Sequence, residues 1–337
     1  MLGSPFGDLP GFIQAVASPL LSHSDKLVLA RLGLHLLRGP AWNLLRGPDE
    51  STLEFLRGLG LSERLIDQFF RPFFGGIFLR RDLSTSARLF RYYLRMLLEG
   101  GAALPRGGLG AVAGQLAQGL DIRPGVQVTR LRATGEGVEV TAEGSEERVW
   151  QAQQVIVATD PRAADQLLGT QAAGAGVGAT YLYYLGSGPA VDPERRLILS
   201  PDPHSGPVNN AHWLSNAVPG RVPAGQQLLV ATVLEPEAHA SDAELDQAAR
   251  AQLAGWYSPQ AAAQLRTLRI ERIPYAQFAQ PPGFAAHLAG HATPLPGVLL
   301  ASEKTSMSSL QGALESGEKA AAALLGDTAA LSRPRGG

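Results

Sequence analysis

The sequence predicts a mixed α/β (α+β) fold, and three stretches carry that prediction. A short apolar run from Gly297 to Ser302, bounded by Pro296 and Glu303, reads as a buried strand; Ser308 and Ser309 then precede an Ala- and Leu-rich run to Gly326 that reads as a capped helix. Gln154-Val155-Ile156-Val157-Ala158-Thr159 is a second buried strand, followed by a helix over residues 162–168. Between Thr180 and Leu234, β-rich segments at 180–184, 197–200, 208–214 and 227–234 are separated by Pro- and Gly-rich turns, as in an antiparallel sheet.

Composition bounds what such a chain can be. With 337 residues, 45% hydrophobic and 18% charged, it can bury a sizeable core, as two domains or one large one. A net charge of −1 argues against nucleic acid as a partner, because neutralising phosphates needs a basic surplus. The charge is unevenly placed: residues 1–110 hold 13 Lys and Arg against 9 Asp and Glu, the remainder 16 against 21. With no cysteine there is no disulfide, Fe–S cluster or cysteinyl link, so the compartment is unconstrained and cytoplasm is the default. No basic region precedes an apolar core at the start, and no apolar run reaches the ~18 residues of a spanning helix.

In chain order, residues 1–22 read as loop with a short helix over Gly11 to Ala17. From Ser24 to Leu45 closely spaced leucines are interspersed with Lys26, Arg31 and Arg38, a mostly helical stretch broken at Gly39-Pro40. This basic, leucine-rich segment either packs into a helical core or lies against a membrane surface. Ser51-Thr-Leu-Glu54 is a capping box, and Ser62 to Phe70 continues the helical pattern. Arg71 to Phe78 reads as an aromatic turn, and Leu83-Ser84-Thr85-Ser86 as the cap of a helix through Leu98. Gly108, Gly110 and Gly114 imitate a dinucleotide fingerprint, but no strand precedes them, so they open only a helix to Leu120. Ile122 to Leu131 and Gly135 to Thr141 form a strand, a turn and an alternating strand; Val149 to Ala152 is a third. Ser241 caps a helix through Trp256, Leu265 to Ile273 is a strand, and Pro274 to Phe278 reads as a turn. His287 and His291 are four apart, but Gly290 lies between them and Pro294 follows, so no metal site is expected. No GxSxG elbow is present to support a hydrolase.

The terminal unit, Glu303 followed by Ser309-Leu310-Gln311-Gly312-Ala313-Leu-Glu-Ser316-Gly317, resembles the C-terminal flavin motif of the FAD-dependent amine oxidase, protoporphyrinogen oxidase and phytoene desaturase superfamily. Leu104-Pro105-Arg106-Gly107-Gly108, the strand holding Val128 and the strand ending Ala158-Thr159 follow in the order of that superfamily. Ser302 departs from its usual Gly. The resemblance implies a partial FAD-binding Rossmann-like domain, residues 101–168 and 291–328, with a substrate domain of an antiparallel sheet and helices, residues 1–100 and 169–290, and a tail from 329. It implies FAD contacts from Val128, Ala158, Thr159, Glu303, Ser308, Ser309, Leu310, Gln311, Gly312 and Ala313. Phe74, Gly75 and Tyr275 fall in its substrate region.

By the same resemblance the expected chemistry is hydride transfer from an apolar, isoprenoid-like or tetrapyrrole-like small molecule to flavin N5, as in a dehydrogenase, desaturase or isomerase. A flavin amine oxidase is the alternative, although such enzymes place an aromatic before the last strand where this chain has His291-Ala-Thr-Pro-Leu-Pro-Gly297. No strand-GxGxxG-acid unit occurs in the sequence, so at least the ~30 residues of a βαβ unit are expected from elsewhere, on a truncated stretch or a separate GxGxxG-bearing polypeptide. A non-catalytic remnant or subunit is the remaining reading.

Overall fold

A computed structural model describes residues 18–100, 102–144, 148–188, 191–234 and 241–326; the expected helix over Gly11 to Ala17 lies outside them. The main helices of the first third are α1 (His23–Leu36), α2 (Thr52–Gly58), α3 (Arg71–Phe78) and α4 (Ala87–Gly100). Then come α5 (Gly110–Leu116), strands β1 (Gln127–Thr134), β2 (Gly137–Glu143), β3 (Arg148–Ala152) and β4 (Val155–Val157), and α6 (Pro161–Leu168). Strands β5 (Gly176–Ser187), β6 (Leu197–Leu199), β7 (Val208–Trp213) and β8 (Gln226–Leu234) precede α7 (Asp242–Trp256) and α8 (Pro259–Ala263). The chain closes with β9 (Arg266–Phe278), β10 (Val298–Leu300) and α9 (Leu310–Leu324). These elements form two compact units, residues 1–109 with 177–277 and residues 110–176 with 278–337.

In the first unit the sheet order is β6-β7-β8-β5-β9, with β6 antiparallel to β7, β7 to β8 and β8 to β5. Side chains alternate across a strand, so Leu182 and Tyr184, Ala211 and Trp213, and Leu229 and Ala231 share one face. That face is buried against Leu245, Ala249 and Leu253, spaced four apart on α7, whose start is fixed by the Ser241–Glu244 capping box. The opposite face carries Tyr181, Asn210 and Thr232.

Two segments differ from their sequence reading. Arg71 to Phe78 is helix α3, not a turn: a π turn over Ile66–Phe70 runs directly into it. The wider turn relieves the clash between the Pro72 ring and the preceding carbonyls, and the buried Phe74 ring stacks on Phe70, tilts against Phe78 and meets Phe90 edge-on. Pro274 to Phe278 is likewise strand, the end of β9. An edge strand presents N–H groups that need no partner, which is where a sheet tolerates proline.

Helix α1 is held at both ends. Asp25, fully buried, accepts from the backbone N–H and hydroxyl of Ser22 and from the N–H and hydroxyl of Ser62, at 2.6 to 3.1 Å. Arg95 donates to the carbonyls of Leu36 and Gly39 while pairing with Glu99, closing the helix C-terminus. Leu32 and Leu36 face inward, with Phe55, Leu94 and Leu98 against them. Burial alone pushes the Asp25 carboxyl up, but the Ser22 and Ser62 donors outweigh it and hold the group below its ordinary value. Its contribution to stability is therefore present above the unfolded carboxylate pKa and lost as pH falls through the lower folded one. Removing an acceptor of four donors should cost about 2 to 4 kcal/mol. Asp25→Ala is thus expected to lower the midpoint of urea unfolding at pH 7, with a smaller difference from wild type at pH 3; equal stability at pH 7 would contradict the clamp.

Candidate functional site

In the second unit β10 runs parallel to β4, Val298 opposite Val155 and Leu300 opposite Val157. The antiparallel sheet β1-β2-β3 joins this pair through a core of Leu131, Val138, Val157, Val298 and Leu300, with Ala164 and Leu168 of α6. The Ala301 N–H donates to the Val157 carbonyl, 2.9 Å, so both chains leave the pair at the same end. Ala158 and Thr159 emerge there exposed, and Ser302 and Glu303 emerge beside them. Parallel sheets of this class receive ligands outside the carboxyl ends of their strands.

The far edge of β10 is closed by the chain itself. Val298 N–H donates to Leu295 O (3.1 Å), Thr293 Oγ1 to Val298 O (2.9 Å) and Leu300 N–H to His291 O (2.8 Å). His291 Nδ1 lies 2.9 Å from the Leu300 carbonyl, which fixes the proton on Nδ1.

Between β10 and α9 the chain makes one 3-10 turn, Glu303–Thr305, capped by Ser302. Ser308 then bridges two groups: its N–H donates to Gln280 Oε1 (2.9 Å) and its hydroxyl to Glu303 Oε2 (2.7 Å). Burial raises the Glu303 carboxyl above its ordinary value, opposed by the Ser308 hydroxyl and the Lys304 charge. Burial lowers the Lys304 ammonium in turn, and its Nζ lies 4.3 Å over the Phe278 ring. Ser309 is the N-cap, its hydroxyl accepting from Gly312 N–H at 2.9 Å. Leu310 and Gln311 stand at the first helical positions, where backbone N–H groups have no intrahelical acceptor, and both are exposed at the positive end of the dipole.

Gly312 is required by the turn itself: a Cβ there would collide with the Met307 carbonyl. Ala313 and Gly317 lie exposed one turn apart, and nothing stands within 4 Å of a Cβ placed on Gly317. Ser316, buried, donates back to the Ala313 carbonyl and packs the other side. Val128 lies on the outer strand of its sheet, paired with Ala142, and the register slips just after it, leaving Thr129 as the extra residue of a bulge.

The first unit holds a cavity of about 190 Å³ lined by Pro72, Phe73, Gly76 and Ile77 of α3 and by Tyr181, Leu197, Asn210 and Thr232 of the sheet. Tyr181, Thr232 and Asn210 occupy one row of the register, and Asn210 Nδ2 lies 3.3 Å from Thr232 Oγ1. Of the residues expected on the substrate side, Phe74 is fully buried among other rings and Gly75 packs against Arg81; their neighbours Phe73 and Gly76 face the cavity. Tyr275 is half-buried in β9 and does not line it. The sheet residues were hidden from sequence reasoning because only the pairing of β5, β7 and β8 reveals which alternating set faces α3.

The model of the flavin-containing amine oxidoreductase family matches residues 6–325. The chain belongs to that family. Membership makes it a flavin oxidoreductase by class. No curated protein sequence matches it. Among solved structures it is similar to an oxidoreductase from Methanosarcina mazei, at 17% identity and a TM-score of 0.68 over 89% of this chain and 74% of that one. It is similar also to a protein of Exiguobacterium sp. 255-15 assigned as a protoporphyrinogen oxidase, at 18% identity, TM-score 0.64, over 99% and 77%. A triple mutant of putrescine oxidase made to redesign cofactor binding matches at 16% identity, TM-score 0.66, over 90% and 75%. At these identities the neighbours establish the fold.

The second unit of this family member fits the ring end of a flavin. A flat ring laid on the exposed side of α9 meets a methyl group at Ala313 and a bare Cα at Gly317, with the Leu310 and Gln311 N–H groups beside it.

Two consequences can be measured. Gly312→Ala places a methyl against the Met307 carbonyl and should destabilise the chain by roughly 2 to 4 kcal/mol, read as a lower midpoint in denaturant. For Glu303 the folded pKa lies above the unfolded value of 4.5: below 4.5 both states are protonated, and as pH rises through the folded pKa the native state must ionise a buried carboxyl and loses stability. Glu303→Gln should therefore be at least as stable as wild type at pH 7 and gain nothing at pH 4; a clear loss at pH 7 would show that the ionised form is the stabilising one.

Proposed function

We propose that the chain is an FAD-dependent oxidoreductase taking hydride from an apolar, isoprenoid-like or tetrapyrrole-like molecule. The observation that favours this over amine oxidation is the cavity against α3: Phe73, Ile77 and Leu197 line it, its polar side chains are the neutral Tyr181, Asn210 and Thr232, and no carboxylate lines it to meet an ammonium. An apolar end of such a molecule enters there without leaving a charge unpaired, and Asn210 or Thr232 orients one oxygen or carbonyl of it.

When bound, the flavin supplies the hydride-accepting ring. The residues of this chain do the rest. The first-turn N–H groups at Leu310 and Gln311 and the positive end of the α9 dipole favour negative charge on whatever lies over them. Glu303, held by the Ser308 hydroxyl, presents an acceptor for a ribityl or ribose hydroxyl at the carboxyl end of β10. Ala158 and Thr159 bring bare backbone to the same end, and Val128 offers an outer-strand backbone for an adenine edge.

Because Ala313 is exposed, Ala313→Phe should leave the melting temperature unchanged while lowering flavin affinity at least tenfold in an absorbance titration; unchanged affinity would remove α9 from the site. With flavin bound under anaerobic conditions, a C40 polyene such as phytoene, delivered in detergent, is expected to bleach the flavin absorbance, and benzylamine or putrescine is not. Bleaching by the amines alone would overturn the substrate assignment and leave the flavin reading in place.

A further inference from the structure

Helix α1 presents an outward stripe that no part of the proposed chemistry uses. Its inner side is spent on Asp25, Leu32 and Leu36. On the outer side Leu27, Arg31, Leu34 and Arg38 follow at spacings of four, three and four, so they stand in one row along the helix and its C-terminal turn. Leu27 is 61% exposed, Leu34 64% and Leu37 47%. Single exposed leucines need no explanation, but two in one row of the helix with a third, Leu37, at its C-cap, interleaved with cations, form a patch.

The charge of the patch has one sign. Lys26, Arg31, Arg38 and Arg46 make no ion pair among the described residues, whereas Arg57, Arg71, Arg88 and Arg95 of the same helical region each face a carboxylate. The lone acid of α1, Asp25, is buried and consumed by Ser22 and Ser62. A second copy of the chain would bring the same cations face to face, which disfavours self-association through this stripe. Apolar side chains rimmed by unpaired cations complement a surface that is anionic outside and hydrocarbon beneath. No helix among the described residues is long and apolar enough to cross a membrane, so the contact is one of lying on the surface.

We infer that the outer face of α1 docks on an anionic lipid surface, the leucines entering the headgroup boundary and Lys26, Arg31 and Arg38 meeting lipid phosphates and carboxylates. The inference stands apart from the flavin reading: it concerns where the chain resides, and its test requires neither cofactor nor turnover. The full chain is floated with vesicles of phosphatidylcholine alone and with vesicles containing a third phosphatidylserine, at low and high salt. Binding is expected with the anionic vesicles only, and is weakened by salt. Arg31→Glu with Arg38→Glu should reduce that binding about 10- to 100-fold, and Leu27→Ser with Leu34→Ser comparably, both pairs retaining the wild-type thermal unfolding profile because these side chains are exposed. Binding to neither vesicle overturns the inference, as does equal binding to both, or variants that float like wild type. A concentration-dependent dimer in sedimentation that the leucine pair abolishes would assign the stripe to a second copy and overturn it equally.

Discussion

The pairing of two three-residue strands far apart in sequence, β4 and β10, is the constraint on which the second unit depends. Three parallel rungs bring Val155 to Val157 beside Val298 to Leu300, and one further hydrogen bond, from Ala301 to Val157, makes both chains depart together. Parallel strands cannot be joined by a tight turn, so a crossover must intervene, and here it carries residues 177–277 of the first unit between them. From that common departure follow the exposure of Ala158 and Thr159, the placement of Glu303 and the start of α9. Every outward polar group of β10 is meanwhile satisfied by residues 291–295, so the pair is complete on that side despite its small size.

The turn between β10 and α9 shows how structural and functional demands meet in a few residues. Ser308 serves Gln280 and Glu303 at once, and Gly312 exists because the Met307 carbonyl leaves no room for a side chain. Those contacts fix the direction of α9; the exposed Ala313 and Gly317 have no such packing reason. That division separates residues that build the helix start from residues that leave it bare. Glu303 belongs to both groups: it is buried enough for ionisation to be disfavoured, yet lies at the strand end where an acceptor for a hydroxyl is useful.

Much of this was legible in the sequence wherever a local signal decides the matter. Ser51 with Glu54 forms the capping box its spacing announces, Ser241 caps its helix as expected with Glu244 completing a box, and Ser309 caps α9 as its position before an apolar run suggests. The strand at Val155 and the hairpin around Gly135 follow from β-branched runs and alternation. Proline misled twice. At Pro72 a π turn absorbs the ring inside continuous helix, and at Pro274 the edge of the sheet excuses the missing donor; neither context is visible locally. The cavity was illegible for a different reason. Which of Tyr181 and Leu182 faces α3 depends on the register with Thr232 and Asn210, fifty and thirty residues away on the order of magnitude, and a one-residue slip exchanges the faces.

The central claim is that the carboxyl ends of β4 and β10 and the first turn of α9 receive the ring end of the flavin. Amide chemical shifts in the full chain, followed as FAD is added, test it most directly, because they report on backbone N–H groups one by one. The account predicts that the Leu310 and Gln311 amides shift most, with Ala158 and Thr159 next, while the amides of β1 beyond the Val128 bulge and those of α7 stay in place. Shifts concentrated elsewhere, with Leu310 and Gln311 unmoved at saturation, would contradict it.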